Sequence, residues 1–372
     1  MKNKKFFYLF LGIIGGIVIS VSLANYYIDY YSVFRGAQKK IIETNAANNR
    51  FVKMEYLLMD NHFKKYDSYL WGSSRVEKMD TRLTGQRTYN MGASAGMPED
   101  CLRELKILKA HNAPVDVVYL GIDDFAYFTD YDDMQAIIYQ FPYEEGSPKY
   151  EYYIRLLLEK ELIKLKVEEM IKPSVKGKIM LQQTGTYLVP QVIEKQIEEN
   201  VLQYVQDNKF KKATRFKFGG NARFDKCLVA IKKIKSFCDE NNIQFVPFFN
   251  PQHMTTYLAD DMELMNRFKR ELVKISPFWD FSGVNYVTAN NYFWSETSHA
   301  RPFICDKILD TVSGQNQMTW VPDFGVYVTE DNVDAFCEKA VRDREAYDPD
   351  HEQWIPTAEE RAIMTKRVNY PW

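Results

Sequence analysis

Cysteine is scarce in this chain and poorly spaced for chemistry. Cys101, Cys227, Cys238, Cys305 and Cys337 are odd in number and include no CxxC pair, so neither a zinc site nor a disulfide framework is indicated, and they read as small buried residues. An odd count outside the membrane suits an organism that makes few extracellular disulfides. Excess charge is absent too: a formal net charge of -2 leaves no polyanion-binding surface and argues against nucleic acid. Internal repeats and low-complexity tracts are missing, which removes solenoid architectures. The aspartates Asp130, Asp132 and Asp133 have neither nearby histidine nor a glycine-marked calcium loop and read as a solvated turn. No metal and no cofactor is expected.

What the chain has in plenty is aromatic side chains, 25 Tyr and 24 Phe, which fit either a carbohydrate-handling surface or a large aromatic core. One long apolar run is present. Lys2, Lys4 and Lys5 precede an uncharged stretch over 6–28, long enough to cross a bilayer as a helix. Positive charge ahead of it puts the amino terminus in the cytoplasm and the rest outside. Tyr26, Tyr27, Tyr30 and Tyr31 then fall at the level of an interfacial aromatic belt. The competing reading is a signal peptide cleaved near Ala24; the apolar run continues past that point, which favours a retained anchor.

The stretch around which the remainder is organised is 67–75, DSYLWGSSR, a short strand that runs into a tight turn and leaves serine at the strand's carboxyl end. Open α/β sheets put their chemistry there. Far downstream, 294–302 reads WSETSHARP, with His299 three residues after Glu296, a base beside a carboxylate that can orient it. Strands are expected at 88–91, 115–120 and 243–249, the second a nearly continuous apolar run suited to a buried parallel strand, with a further short one at 278–281. Helices are expected at 98–110, opened by Pro98 with Glu99 and Asp100 matching the dipole, and at 222–240, 260–276 and 302–312. This reads as anchor 1–31, stalk or connector 32–66, α/β domain 67–312 with charged amphipathic helices inserted at 141–218, and a carboxyl-terminal extension 313–372.

Three successive strand ends carry Gly72-Ser73-Ser74, Asn90-Met91-Gly92 and Gly121-Ile122-Asp123-Asp124, and the late block carries Glu296-Thr297-Ser298-His299. In that order they resemble the SGNH (GDSL-like) hydrolase superfamily, and more closely its membrane-anchored bacterial cell-envelope branch. The resemblance implies a three-layer, flavodoxin-like α/β fold with a parallel sheet. It puts Ser74 in the place of the nucleophile, His299 in that of the base and Glu296 in that of its orienting acid. The oxyanion would be met by the Ser74 and Gly92 amides and by the block that here holds Asp123 in place of the usual asparagine. A carboxylate there serves only if protonated; otherwise it turns elsewhere, toward Arg75. Arg75, Asn90 and His253 are the expected substrate contacts, with a hydrogen bond inside its own loop as the other reading of His253. The implied activity is that of an extracytoplasmic serine esterase or O-acyltransferase acting on a cell-surface glycan or envelope polymer through an acyl-serine. The alternative is a non-catalytic accessory that binds polymer or partners a membrane-bound O-acyltransferase.

Protease added to spheroplasts is expected to remove everything after Tyr31. Full protection of that domain would exclude an envelope substrate.

Overall fold

The computed structural model describes residues 2–44, 47–129, 143, 149–171, 178–214, 221–316, 324–349 and 353–365. Asp130, Asp132 and Asp133, and parts of the expected insertion, lie outside them. Among the described residues no cluster of His, Cys, Asp or Glu is arranged to hold a metal, and all five cysteines are free and buried.

Among the described residues, nine strands form two sheets. A small antiparallel sheet joins β1 (Ile41–Thr44), β5 (Lys178–Leu181) and β6 (Tyr187–Leu188) in the order β1-β5-β6. The large sheet runs β3-β2-β4-β7-β8-β9, built from β2 (Ser68–Trp71), β3 (Thr88–Asn90), β4 (Val117–Ile122), β7 (Gln244–Phe249), β8 (Phe278–Asp280) and β9 (Val326–Val328). Its first five strands are parallel and β9 is antiparallel at the edge. Numbered among themselves, the parallel strands take the order 2-1-3-4-5, which reverses direction between β2 and β4 and opens a crevice at their carboxyl ends.

Alternation along the strands sorts their side chains into two cores, as the two-residue period of a strand requires. Tyr69, Trp71, Val118, Leu120 and Phe249 face one cluster, covered by the helices Pro98–Ala110, Asn221–Glu240 and Met262–Val273. Leu70, Val117, Tyr119 and Phe248 face the other, covered by the fully buried helix Pro302–Val312. The architecture is therefore helices on both faces of a mostly parallel sheet. Two helix boundaries expected from sequence, Pro98–Ala110 and Pro302–Val312, are those observed, because proline opens each one. The carboxyl-terminal extension completes the sheet with β9 and adds the helix Val333–Ala346 against Met262–Val273.

The segment 32–66 is no stalk. β1 pairs with β5 from the insertion, and the helix Asn49–Leu58 is buried along almost its whole length. Even its charged residues are sequestered: Arg50 pairs with Asp100 at 2.7 Å, and Lys53 donates to the Gly92 carbonyl at 2.5 Å. The amphipathic pattern at Phe51, Met54, Leu57 and Leu58 recorded one buried face; the long-range partners of Arg50 and Lys53 made the other. The charged amphipathic helices expected in the insertion come as two broken pairs, Lys149–Leu158 with Glu161–Ile171, and Gln191–Glu199 with Val201–Val205.

Among the described residues one helix, Lys2–Ile28, is long and apolar enough to cross a membrane. It joins the domain through a fixed turn in which Asp29 accepts from the amides of Phe34 and Arg35 at 3.0 Å each.

Candidate active site

The turn after β2 depends on glycine. Gly72 sits at φ +150°, and a Cβ there would lie 2.9 Å from Val76 and 3.0 Å from the Gly121 carbonyl of β4. Only a residue without a side chain lets the chain turn this close to its neighbour strand. The turn leaves Ser74 half-exposed between buried Ser73 and Arg75.

The loop carrying the histidine is closed on itself. Trp294 bridges Ala300, the Ser295 amide donates to the His299 carbonyl at 2.8 Å, and the Arg301 amide donates to the Phe293 carbonyl at 2.8 Å. The Ser74 hydroxyl lies 2.7 Å from His299 Nε2, and Glu296 Oε1 bonds His299 Nδ1. The Ser298 amide steadies the second Glu296 oxygen at 2.8 Å. Burial pushes the Glu296 carboxyl up, but His299, the Ser298 amide and Lys78 outweigh it and hold it below the usual range. Burial likewise lowers His299, with Lys78 and Arg75 adding to it against the pull of Glu296. Near neutrality the pair is thus a carboxylate beside a neutral imidazole. An ionised carboxylate only accepts, so Nδ1 carries the proton and Nε2 is free to accept from Ser74.

Ser74, Glu296 and His299 open on a groove of about 510 Å³. Its far wall is the insertion: Leu188, Val189, Pro190, Ile193 and Ile197 supply an apolar strip, and Asn200, Gln203 and Lys209 supply polar groups. Arg301 holds that wall in place. Its fully buried guanidinium reaches Glu194 at 2.6 Å and Glu198 at 2.9 Å, and Arg361 of the extension reaches Glu198 as well. None of these wall residues was singled out from sequence. Arg301 could have been, since it follows the histidine by two positions in the quoted block, whereas the insertion's amphipathic helices carry no mark of what they face.

Among the described residues that line the groove, the expected substrate contacts Arg75, Asn90 and His253 are missing, as are the expected oxyanion groups Gly92 and Asp123. Asn90 is a brace: its amide nitrogen donates to the carbonyls of Val76 at 2.8 Å and Met79 at 3.2 Å, and its oxygen accepts from the Gly92 amide at 2.8 Å. The Gly92 donor is therefore already committed. His253 caps the helix Met254–Tyr257, accepting from the Thr255 amide at 3.2 Å and bonding Asn291 at 2.7 Å, and burial pushes it down to about 4. It is neutral and turned away from Ser74's groove, as the loop hydrogen-bond reading has it.

Asp123 turns to Arg75. Arg75 Nη1 meets Asp123 at 3.0 Å and Asp124 at 2.5 Å, its Nε donates to the Ser298 carbonyl at 3.0 Å, and Asn250 donates to the same Asp123 oxygen at 3.0 Å. All three charged groups are buried. Burial raises Asp123, opposed by Arg75 and by hydrogen bonds from Ser73 and Asn250, while Asp124 adds to the rise.

No family model, no curated protein and no solved structure matches this chain. The class that fold and site define is a mixed α/β protein carrying a serine, histidine and glutamate hydrogen-bonded in series at the carboxyl edge of its sheet.

A raised folded-state pKa means that Asp123 resists ionisation in the native state, so its contribution to stability declines as the pH climbs above the ordinary aspartate value. Asp123→Asn is expected to remove that decline and to leave the melting temperature at neutral pH unchanged or higher. Arg75→Met strands two buried carboxylates and is expected to cost about 3–5 kcal/mol. Melts of both variants from pH 4 to 8 check this; an Asp123→Asn loss as large as that of Arg75→Met would show that the second carboxylate is needed for the pair.

Proposed function

We propose that the chain is an SGNH-type serine esterase or O-acyltransferase, anchored by its amino-terminal helix with the domain outside the membrane, acting on a cell-surface glycan or envelope polymer. The observation that carries the reading is the 2.7 Å contact from Ser74 Oγ to His299 Nε2, with Glu296 on the other ring nitrogen, at the mouth of a groove. A serine hydroxyl is a weak nucleophile until a base takes its proton, and the base needs a fixed tautomer.

In the reaction His299 Nε2 takes the Ser74 proton as Oγ adds to the acyl carbonyl. The tetrahedral oxyanion collapses, the donor alkoxide leaves with the proton from His299, and the acyl group stays on Ser74. Water or a polymer hydroxyl then gives its proton to His299 and attacks the acyl carbon, and as the Ser74 Oγ–acyl bond breaks His299 returns that proton to Oγ, which restores the serine hydroxyl and the neutral imidazole. The Ser74 amide, which meets no acceptor among the described residues, is the donor placed for the oxyanion. Ile193, Ile197 and Pro190 suit an acyl chain, and Asn200, Gln203 and Lys209 suit the hydroxyls of a glycan.

One observation favours a second reading. The Gly92 amide is tied to Asn90 and Asp123 to Arg75, so fewer donors face the oxyanion than the resemblance implies. A site so depleted would bind polymer beside a membrane-bound O-acyltransferase and turn nothing over.

A fluorophosphonate probe is expected to label the wild-type protein at Ser74. Ser74→Ala should abolish labelling and lower ester turnover by roughly 10⁴-fold or more. Turnover should rise with pH through the lowered His299 pKa and be complete by neutrality. A folded wild-type protein that takes up no probe, together with Ser74→Ala cells whose polymer is acylated normally, would exclude catalysis and leave the binding reading.

A further inference from the structure

The helices Lys149–Leu158 and Glu161–Ile171 bury one side and leave another side apolar and bare. Tyr152, Leu156 and Leu162 enter a core with Phe51 and Val52. Ile154 and Leu158 on the first helix, and Val167, Met170 and Ile171 on the second, are exposed. Ile154 and Leu158 are spaced i, i+4, and Val167, Met170 and Ile171 are spaced i, i+3, i+4, so each set forms a stripe along its helix. Exposed apolar stripes of this kind mark a contact surface.

The position of these stripes is fixed by Asn25. In an apolar helix whose other described residues are exposed or half-buried this residue is fully buried, and its side-chain nitrogen donates to the carbonyls of Leu156 at 3.2 Å, Leu157 at 2.9 Å and Glu159 at 2.9 Å. Leu156 and Leu157 end the helix Lys149–Leu158 and Glu159 follows it, where a helix leaves carbonyls short of donors; of the three, the Leu156 carbonyl is also met by the Glu159 amide at 3.3 Å. Asn25 lies three residues before the end of the apolar helix, about 4.5 Å along its axis. Leu158 is thereby held at the depth of the helix's last turn, level with exposed Tyr26 and Tyr27.

We infer that this helix pair lies in the lipid headgroup and acyl boundary of the outer leaflet and fixes the height and tilt of the domain over the membrane. The inference rests on the anchor reading above. Between 149 and 171 there are five basic and five acidic side chains, so the contact is apolar and does not depend on anionic lipid. Tyr187 belongs both to the core beneath these helices and to the wall of the Ser74 groove. Seating the pair on lipid therefore places the groove near the membrane surface.

The test uses the full chain in vesicles of phosphatidylethanolamine and phosphatidylglycerol, with a doxyl-labelled phosphatidylcholine as quencher. The native thiols are buried, so an environment-sensitive maleimide reports on one introduced cysteine. Ile154→Cys and Met170→Cys should each lose about half of their emission or more to the quencher, equally at low and high salt, while Val229→Cys on the far helix keeps its emission. Ile17→Cys, inside the apolar helix, reports on the anchor alone. Quenching at 17 without quenching at 154 or 170 overturns the inference and leaves the anchor standing. A lack of quenching at 17 removes the anchor and the inference with it. A blue shift at 154 and 170 in native membranes but not in pure lipid also overturns it, and assigns the surface to a protein partner. A melting temperature within a few degrees of the wild type shows in each case that the variant is folded.

Discussion

The buried Arg75 guanidinium is the constraint on which the site depends. It stands one residue after Ser74 and donates to the Ser298 carbonyl, one residue before His299. A single planar group thus spans the turn after β2 and the loop before the helix Pro302–Val312, and Asp123 and Asp124 at the end of β4 balance its charge. Desolvating a guanidinium and two carboxylates is costly, and well-packed apolar residues would do as well or better for stability alone. What the cluster supplies is direction: a planar fork with fixed donors admits few arrangements of its partners. The separation of Ser74 and His299 is set beneath the groove, out of reach of solvent.

The sequence made the parallel sheet legible because buried strands and proline-opened helices leave local marks. Asn90 and Arg75 were expected to touch substrate, and His253 was left between substrate and its own loop, for a physical reason. A polar residue at a strand's carboxyl end is equally suited to meet a ligand or to satisfy a neighbouring turn, and the choice depends on partners far away in the chain. Asn90 has two carbonyls 11 and 14 residues upstream, and Arg75 has partners 48, 49 and 223 residues downstream. Ser74, Glu296 and His299 were legible because their spacing is local within each block and only their meeting is long-range. Asp123 was legible as a departure, and Arg75, named as the place it might turn, is its partner.

The stalk expected over 32–66 was lost to the same cause in another form. A helix with charges on one face reads as half-solvated unless those charges find partners, and Arg50 and Lys53 find Asp100 and the Gly92 carbonyl. Because the segment after the apolar helix is strand and core, that helix meets the domain through packed structure, where a stalk would have left a tether. The junction is bound by the Asp29 turn, by the Asn25 bonds and by the pairing of β1 with β5.

The groove is thereby built from two parts of the chain. Ser74 and His299 belong to the turn after β2 and the loop before the helix Pro302–Val312, while the apolar strip facing them belongs to the insertion. The two parts are fastened by Arg301, whose guanidinium has no solvent exposure and lies over the rings of Tyr292 and Phe303, 4.5 and 4.8 Å from their centres. The lever between this guanidinium and the base is two residues long, so displacement of the helix Gln191–Glu199 pulls on the backbone that carries His299. Any shift of the groove wall would reach the imidazole through this connection. The wall resists such a shift along its length: Arg301 and Arg361 hold Glu194 and Glu198 at its middle, the Tyr187 amide donates to the Glu77 carbonyl at 2.7 Å at one end, and Asn291 donates to the Val205 carbonyl at 2.7 Å toward the other.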